Sequence, residues 1–255
     1  MTRAPNSRRA YTLTELLISI GILGVLIALT VPALRGARGA SLATVSIANL
    51  RSIGQTLEHH RAANNDLPPY PPQNNGVSFG PFYWEPNPPA EPENSHWVTP
   101  GPWGTARFWP GLRSIHDVAP WPEHFETWLS PGYRLPPNAP GDFDWPGTIS
   151  YHYSNSFLAS PRVWNGDGSG SAQDIGPVRG STVAFPSSKV VMYDAERAYL
   201  VPKQMAAAPR PVLFVDGSAS LKKDADASVP VPNPLNDNSQ RRYHDTRDGS
   251  QGRDF

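Results

Sequence analysis

The 255-residue sequence contains no cysteine. This absence excludes disulfides, thiol chemistry and cysteine-based zinc sites. An excess of charge of either sign is also missing, because 22 basic and 22 acidic side chains give a formal net charge of zero. Proteins that bind nucleic acid normally carry a basic excess or a basic stripe. The charge balance therefore argues against a nucleic-acid partner.

Local signatures of catalysis are missing as well. The sequence has no HExxH zinc motif, no GxSxG nucleophile elbow and no glycine-rich phosphate loop. Its histidines are scattered, and the adjacent His59 and His60 would point about 100° apart on a helix, which is a poor geometry for chelation. A Ser-His-Asp triad assembles only in space, and no local pattern supports one. We expect no enzymatic activity and no cofactor.

Calcium is the one metal for which the sequence offers candidates, and they are weak. Carboxylates able to supply oxygen ligands occur at Asp194, Asp216 and Asp224. The segment 165–169 (NGDGS) superficially resembles a binding loop, but it lacks the acid spacing and the closing glutamate of an EF-hand. A surface turn is the alternative reading of this loop.

An apolar run near the N-terminus is the strongest feature that is present. Leu16 to Leu34 are 19 residues without a charge. As a helix they span about 28 Å, close to the roughly 30 Å hydrocarbon core of a bilayer. Arg3, Arg8 and Arg9 precede the run with no acid among them, so the positive-inside bias predicts a cytoplasmic N-terminus. Residues 35–255 would then be exported.

Glu15 stands at the start of this run, where a charge costs about 2.5–3.5 kcal/mol on membrane-insertion scales and therefore calls for a partner. The surrounding residues 10–17 (AYTLTELL) resemble the cleaved and methylated leader junction of type IV pilins and type II secretion pseudopilins. That family is cut just before a hydrophobic residue and carries a glutamate five places into the mature chain. It prefers glycine where this chain has Ala10.

The resemblance implies a structural role. A prepilin peptidase of the inner membrane would cut between Ala10 and Tyr11 and methylate the new amine of Tyr11. Glu15 would neutralise the Tyr11 amine of a neighbouring subunit in a pilus or secretion pseudopilus, and Pro32 falls where such helices usually carry a proline. Residues 1–10 would be a cytoplasmic leader, and the exported head would lie in the periplasm or outside the cell.

Two other interpretations of the same segment stay open. A secretory signal peptide also has a basic start and an apolar core, and Ala37 and Gly39 offer small residues before a cut. Its core normally covers only about 7–15 residues and carries no acid at its start. The third possibility is a plain N-terminal anchor that holds some exported domain.

The fold predicted from the sequence is α+β: a long N-terminal helix packed on a small antiparallel sheet. Apolar residues spaced by three and four extend the helix from residue 11 to 63, with residues 16–34 in the membrane and a kink expected at Pro32. Strands are credible within 149–158, 182–193 and 212–221. Asp216-Gly217, between β-prone residues, is the strongest hairpin signal in the chain.

The head begins at residue 64 with a stretch that is rich in proline and tryptophan. Nineteen of the 30 prolines lie between Pro68 and Pro146, with seven of the eight tryptophans. Loops therefore dominate the prediction, with one short helix at 122–129. The tryptophans either fill a core that is short of aliphatic residues or bind sugar faces by stacking, so an anchored carbohydrate-binding module is the alternative function.

The C-terminal half adds a narrower resemblance and a polar tail. Residues 150–161, 187–196 and 212–220 are similar to a bacterial pilin-like family marked by a histidine, nine residues and Asp-Gly. Ala206 stands at the histidine position, so no role of that histidine carries over. Residues 229–255 interleave arginine with aspartate, which predicts a solvated, partly disordered tail or salt bridges between subunits.

Overall fold

The computed structural model describes residues 12–68, 127, 129–133, 150–174, 176–200, 205, 207–234, 238 and 240–255. Within these residues it confirms the α+β class, with one long helix and one antiparallel sheet. The leader, the proposed helix at 122–129 except for residues 127 and 129, and all seven tryptophans of the proline-rich stretch lie outside the described residues. The carbohydrate-binding alternative therefore stays a prediction.

Helix α1 runs from Leu13 to Ala63 without interruption at Pro32. Chain contacts divide the protein into two units, of which the first ends at Ser41 and the second begins at Leu42. The last turn of α1 carries the cation Arg61, which suits the negative end of a helix dipole. The kink expected at Pro32 stays a prediction.

The sheet consists of β1 (Tyr151–Tyr153), β2 (Val190–Asp194), β3 (Arg210–Phe214) and β4 (Ala219–Lys222), paired antiparallel in that order. All three predicted strand segments contribute to it. Gly217 has φ +80° in the turn between β3 and β4, a conformation that glycine adopts at little cost. The hairpin at Asp216-Gly217 is confirmed.

One face of the sheet packs on the second half of α1. Leu50, Ile53 and Leu57 are buried there against Met192 and Leu213. Each such side chain contributes roughly 1.5–3 kcal/mol by burial. Between them, Gly54 brings the helix close to β3, because a Cβ at this position would lie 3.0 Å from Leu213 Cδ1.

The opposite face of the sheet is covered by the C-terminal segment. Val212 and Tyr193, which alternate with Leu213 and Met192 along their strands, cluster with Tyr243. This alternation follows the two-residue period of a strand. Both faces of the sheet are therefore buried, and the covering elements come from opposite ends of the chain.

Short 3₁₀ turns make up most of the remaining regular structure. They lie at Asn155–Phe157, Pro161–Trp164, Ala172–Asp174, Gly180–Thr182, Asp224–Asp226 and Gly249–Gln251. Ser154 and Ser160 each accept a hydrogen bond from the backbone two residues on and so cap the first two of these turns. Trp164, in the second turn, is buried.

Candidate functional site

Thr12 and Glu15 form a capping box at the start of α1. The Thr12 amide donates to Glu15 Oε2 at 2.9 Å, and the Glu15 amide donates to Thr12 Oγ1 at 3.2 Å. The Thr12 hydroxyl also lies 2.9 Å from Oε2. Two amides that have no partner in the helix are satisfied in this way. The Thr-x-x-Glu spacing is visible in the sequence and could have predicted this arrangement.

The first unit carries an exposed apolar surface on every side of its helix. Leucines dominate it, from Leu13 at 76% exposed to Leu34 at 67% exposed. The other large exposed side chains between them are Leu16, Leu17, Ile18, Ile20, Ile22, Leu23, Val25, Leu26, Ile27, Leu29 and Val31. A helix that is apolar all round requires an apolar environment, either other helices or lipid.

Within the described residues, α1 is the one helix long and apolar enough to cross a membrane. Hydroxyl groups inside the span are satisfied by the helix itself, because Ser19 Oγ donates to the Glu15 carbonyl at 2.8 Å and Thr30 Oγ1 to the Ile27 carbonyl at 3.3 Å. Their polarity is therefore largely hidden from an apolar environment. These features fit a membrane-anchored protein.

The predicted calcium ligands are engaged elsewhere in the head. Asp216 accepts from the amide and hydroxyl of Ser218 in the hairpin turn. Asp224 accepts two bonds from Arg210, at 2.8 and 2.9 Å. No group of three or more histidines and acids able to hold a metal occurs in the described part of the chain.

Asp194, the third candidate, ties the helix to the sheet. Its carboxylate accepts from Ser46 Oγ on α1 at 2.7 Å, from Ser130 Oγ at 2.9 Å and from the Arg197 amide at 2.7 Å. Burial raises the pKa of Asp194, and these three donors oppose that rise. The carboxylate therefore acts as a structural link, with its oxygens directed at protein donors.

The C-terminal tail is only partly solvated, because His244, Asp245 and Asp254 are buried whereas Arg242, Arg247 and Arg253 are exposed. The prediction of a solvated tail is therefore wrong for its buried residues. Lys189 Nζ, which is fully buried, lies 3.1 Å from Asp254 Oδ2 and 2.7 Å from Thr246 Oγ1. Asp254 also accepts the amide of Val190 at 2.8 Å. Burial lowers the pKa of Lys189, and Asp254 opposes this shift. The cationic partner of the Asp254 carboxylate therefore lies within the same chain.

A second buried contact of the tail is made by His244. Its Nδ1 accepts the Asn155 amide at 3.2 Å, and its Nε2 lies 2.7 Å from the Tyr193 hydroxyl. Because Nδ1 accepts, the neutral ring carries its proton on Nε2 and donates to Tyr193. Burial, helped by nearby cations, lowers the pKa of His244 well below its ordinary value.

Comparison with known proteins bears on the N-terminal segment. Residues 5–31 match the family model described as the prokaryotic N-terminal methylation motif. This range includes Ala10, Tyr11 and Glu15 and ends just before Pro32. Ala10 and Tyr11 lie outside the described residues. Comparisons with curated proteins and with solved structures gave no match.

Proposed function

We propose that this chain, whose residues 5–31 carry the prokaryotic N-terminal methylation motif, is a structural prepilin-like subunit. A prepilin peptidase would cut it between Ala10 and Tyr11 and methylate the Tyr11 amine. The processed subunit would then assemble with other pilin-like subunits into a pilus or a type II secretion pseudopilus. The proposal gives the chain no catalytic role and no cofactor.

The all-round apolar surface of the first unit is the observation that carries the proposal. Before assembly, lipid would cover it, because Leu16 to Leu34 match the bilayer core in length. After assembly, neighbouring helices would cover the same side chains. An amphipathic helix, with a polar face, would suit only one of these environments.

Three arginines precede the span and two, Arg35 and Arg38, directly follow it, so the positive-inside bias favours one orientation in the inner membrane. Arg3, Arg8 and Arg9 would hold the leader in the cytoplasm, where the residues of the cleavage site are presented to the peptidase. The second unit would be exported to the periplasm or, after assembly, to the outside of the cell. Its lack of cysteine makes its stability independent of disulfide formation there.

Glu15 would give the assembly its register. The methylated amine of Tyr11 on one subunit is cationic at neutral pH, because an unperturbed α-amine has a pKa near 8. In an apolar bundle neither this amine nor the Glu15 carboxylate of a neighbour would have another opposite charge beside it, so pairing them offsets the cost of burial. Removing one member would leave the other as an uncompensated charge.

Processing is tested by producing the full chain together with a prepilin peptidase and determining the mature N-terminus by mass spectrometry. The proposal requires a chain that begins at methylated Tyr11. A chain that begins near Ala40 would instead indicate a secreted protein, and an intact leader would indicate a plain anchor. Either of these results would refute the proposed processing.

Assembly is tested with Glu15→Gln and a matched control, Glu58→Gln. Glutamine can still accept the Thr12 amide in a capping box, so this variant removes the charge and keeps the helix start. Glu58 is an exposed acid of the same helix, outside the span. We expect Glu15→Gln to be processed but not incorporated into fibres. Glu58→Gln should be both processed and incorporated. Normal incorporation of Glu15→Gln would refute the register role.

A further inference from the structure

Arg35 and Arg38 follow the apolar span directly. Arg35 is the first charged residue after Leu34, and the 16–34 span would extend about 28 Å. In a helix that crosses a hydrocarbon core of roughly 30 Å, Arg35 lies at the level of the lipid headgroups. Arg38 lies about 4.5 Å further along the helix axis.

The two arginines share one face of α1 and are open to their surroundings. Residues three apart are neighbours on a helix surface. Both side chains are exposed, and neither makes a hydrogen bond or ion pair with the residues the structure describes. Gly36 and Gly39 beside them have no atom within 4 Å of a Cβ position. Nothing described hinders either guanidinium from reaching a ligand.

The helix offers these cations no counter-charge of its own. Between Glu15 and Glu58 the sequence contains no aspartate or glutamate, whereas a permanently charged guanidinium at a membrane surface seeks an anion. Phosphate matches its planar fork, because two parallel N–H groups can bind two phosphate oxygens.

We propose that Arg35 and Arg38 form a binding site for the phosphate groups of anionic phospholipids in the exported leaflet. The inference rests on the membrane insertion proposed above. Cleavage after Ala10 would remove Arg3, Arg8 and Arg9 and leave Arg35 and Arg38 as the basic side chains of residues 11–41. The site would then set the depth of the processed helix in the bilayer until assembly extracts it.

The site is tested by native mass spectrometry of the processed full chain released from detergent micelles. Phosphatidylglycerol and phosphatidylcholine serve as the anionic and the zwitterionic probe. The variant is Arg35→Gln with Arg38→Gln, and the control is Arg162→Gln with Lys223→Gln, which removes two exposed positive charges from the second unit. Circular dichroism checks that each variant is folded.

We expect the native chain to prefer phosphatidylglycerol and the control to keep this preference. Two arginines near a membrane surface are worth about 2 kcal/mol, so the double variant should bind phosphatidylglycerol about 30-fold more weakly. Equal binding of both lipids by the native chain, or an equal loss in the control, would overturn the inference. The mass of the chain in the same sample shows whether the leader has been removed. A failure of processing is therefore distinguished from a loss of lipid preference.

Discussion

Replacing His244 with asparagine is expected to remove a pH dependence from the stability of the head. His244 is fully buried and neutral in the folded chain, since burial and the neighbouring cations lower its pKa well below the ordinary value. The charged groups that contribute are Arg241, Lys189 and Arg210, together with His152. In the unfolded chain the imidazole titrates near its ordinary pKa of 6.5.

The sign follows from this difference. As the pH falls below 6.5 the unfolded chain takes up a proton that folded His244 does not, so the contribution of His244 to stability is complete above pH 6.5 and is lost on acidification. The linkage slope approaches about 1.4 kcal/mol per pH unit, which gives a loss of about 2 kcal/mol between pH 7 and pH 5. This loss of unfolding free energy is measured by urea unfolding of the full chain in micelles, with tryptophan fluorescence as the signal.

His244→Asn leaves an amide oxygen near the position of Nδ1, which can still accept the Asn155 amide. At pH 7 this variant should be less stable than the native chain, because the bond to Tyr193 is lost. At pH 5 the difference in unfolding free energy between this variant and the native chain should be smaller than at pH 7 by about 2 kcal/mol. Tyr193→Phe loses the same bond and keeps the imidazole, so it should retain the native pH slope. An unchanged slope in His244→Asn would refute the argument.

Three further substitutions test the head by the same unfolding assay. Lys189→Met should cost about 3–5 kcal/mol, since it leaves Asp254 as a buried charge without its cation; a cost below 1 kcal/mol would contradict the importance of this pair. Leu50→Ala should cost about 2–5 kcal/mol because Leu50 is fully buried, whereas the same change at the exposed Leu221 should cost far less. Gly217→Ala should cost about 1 kcal/mol from its positive φ alone, as no atom crowds the Cβ position; a neutral result would argue against this turn geometry.

The sequence predicted those parts of the fold that depend on local periodicity. The apolar run and its amphipathic continuation predicted α1, and Asp216-Gly217 predicted the hairpin between β3 and β4. The start of β3 was missed, because Pro211 lacks an amide hydrogen and argues against a central strand. At this end of the sheet the Arg210 guanidinium donates to the carbonyl of Asp194 at 2.6 Å.

The burial of part of the tail could not be predicted, because the partners of its buried residues are distant in the chain. Lys189 and Asp254 lie 65 positions apart, and the Ser46–Asp194 bond joins residues 148 positions apart. Read locally, alternating arginine and aspartate are typical of solvated segments. Pairing with distant residues buries part of a tail that the local pattern describes as solvated. No periodicity in the tail itself indicates this pairing.

At the start of α1, the capping box has a consequence for the thermodynamics of association. The Thr12 amide that holds Glu15 belongs to the Tyr11–Thr12 peptide bond, so a cut before Tyr11 would leave this contact intact. Immobilising a glutamate side chain costs roughly 1.5–2 kcal/mol of rotamer entropy. Part of that cost is met when the helix forms, because Oε2 is already fixed by Thr12. An incoming subunit would therefore meet a carboxylate that has already lost part of its rotamer freedom, and recruitment would cost correspondingly less.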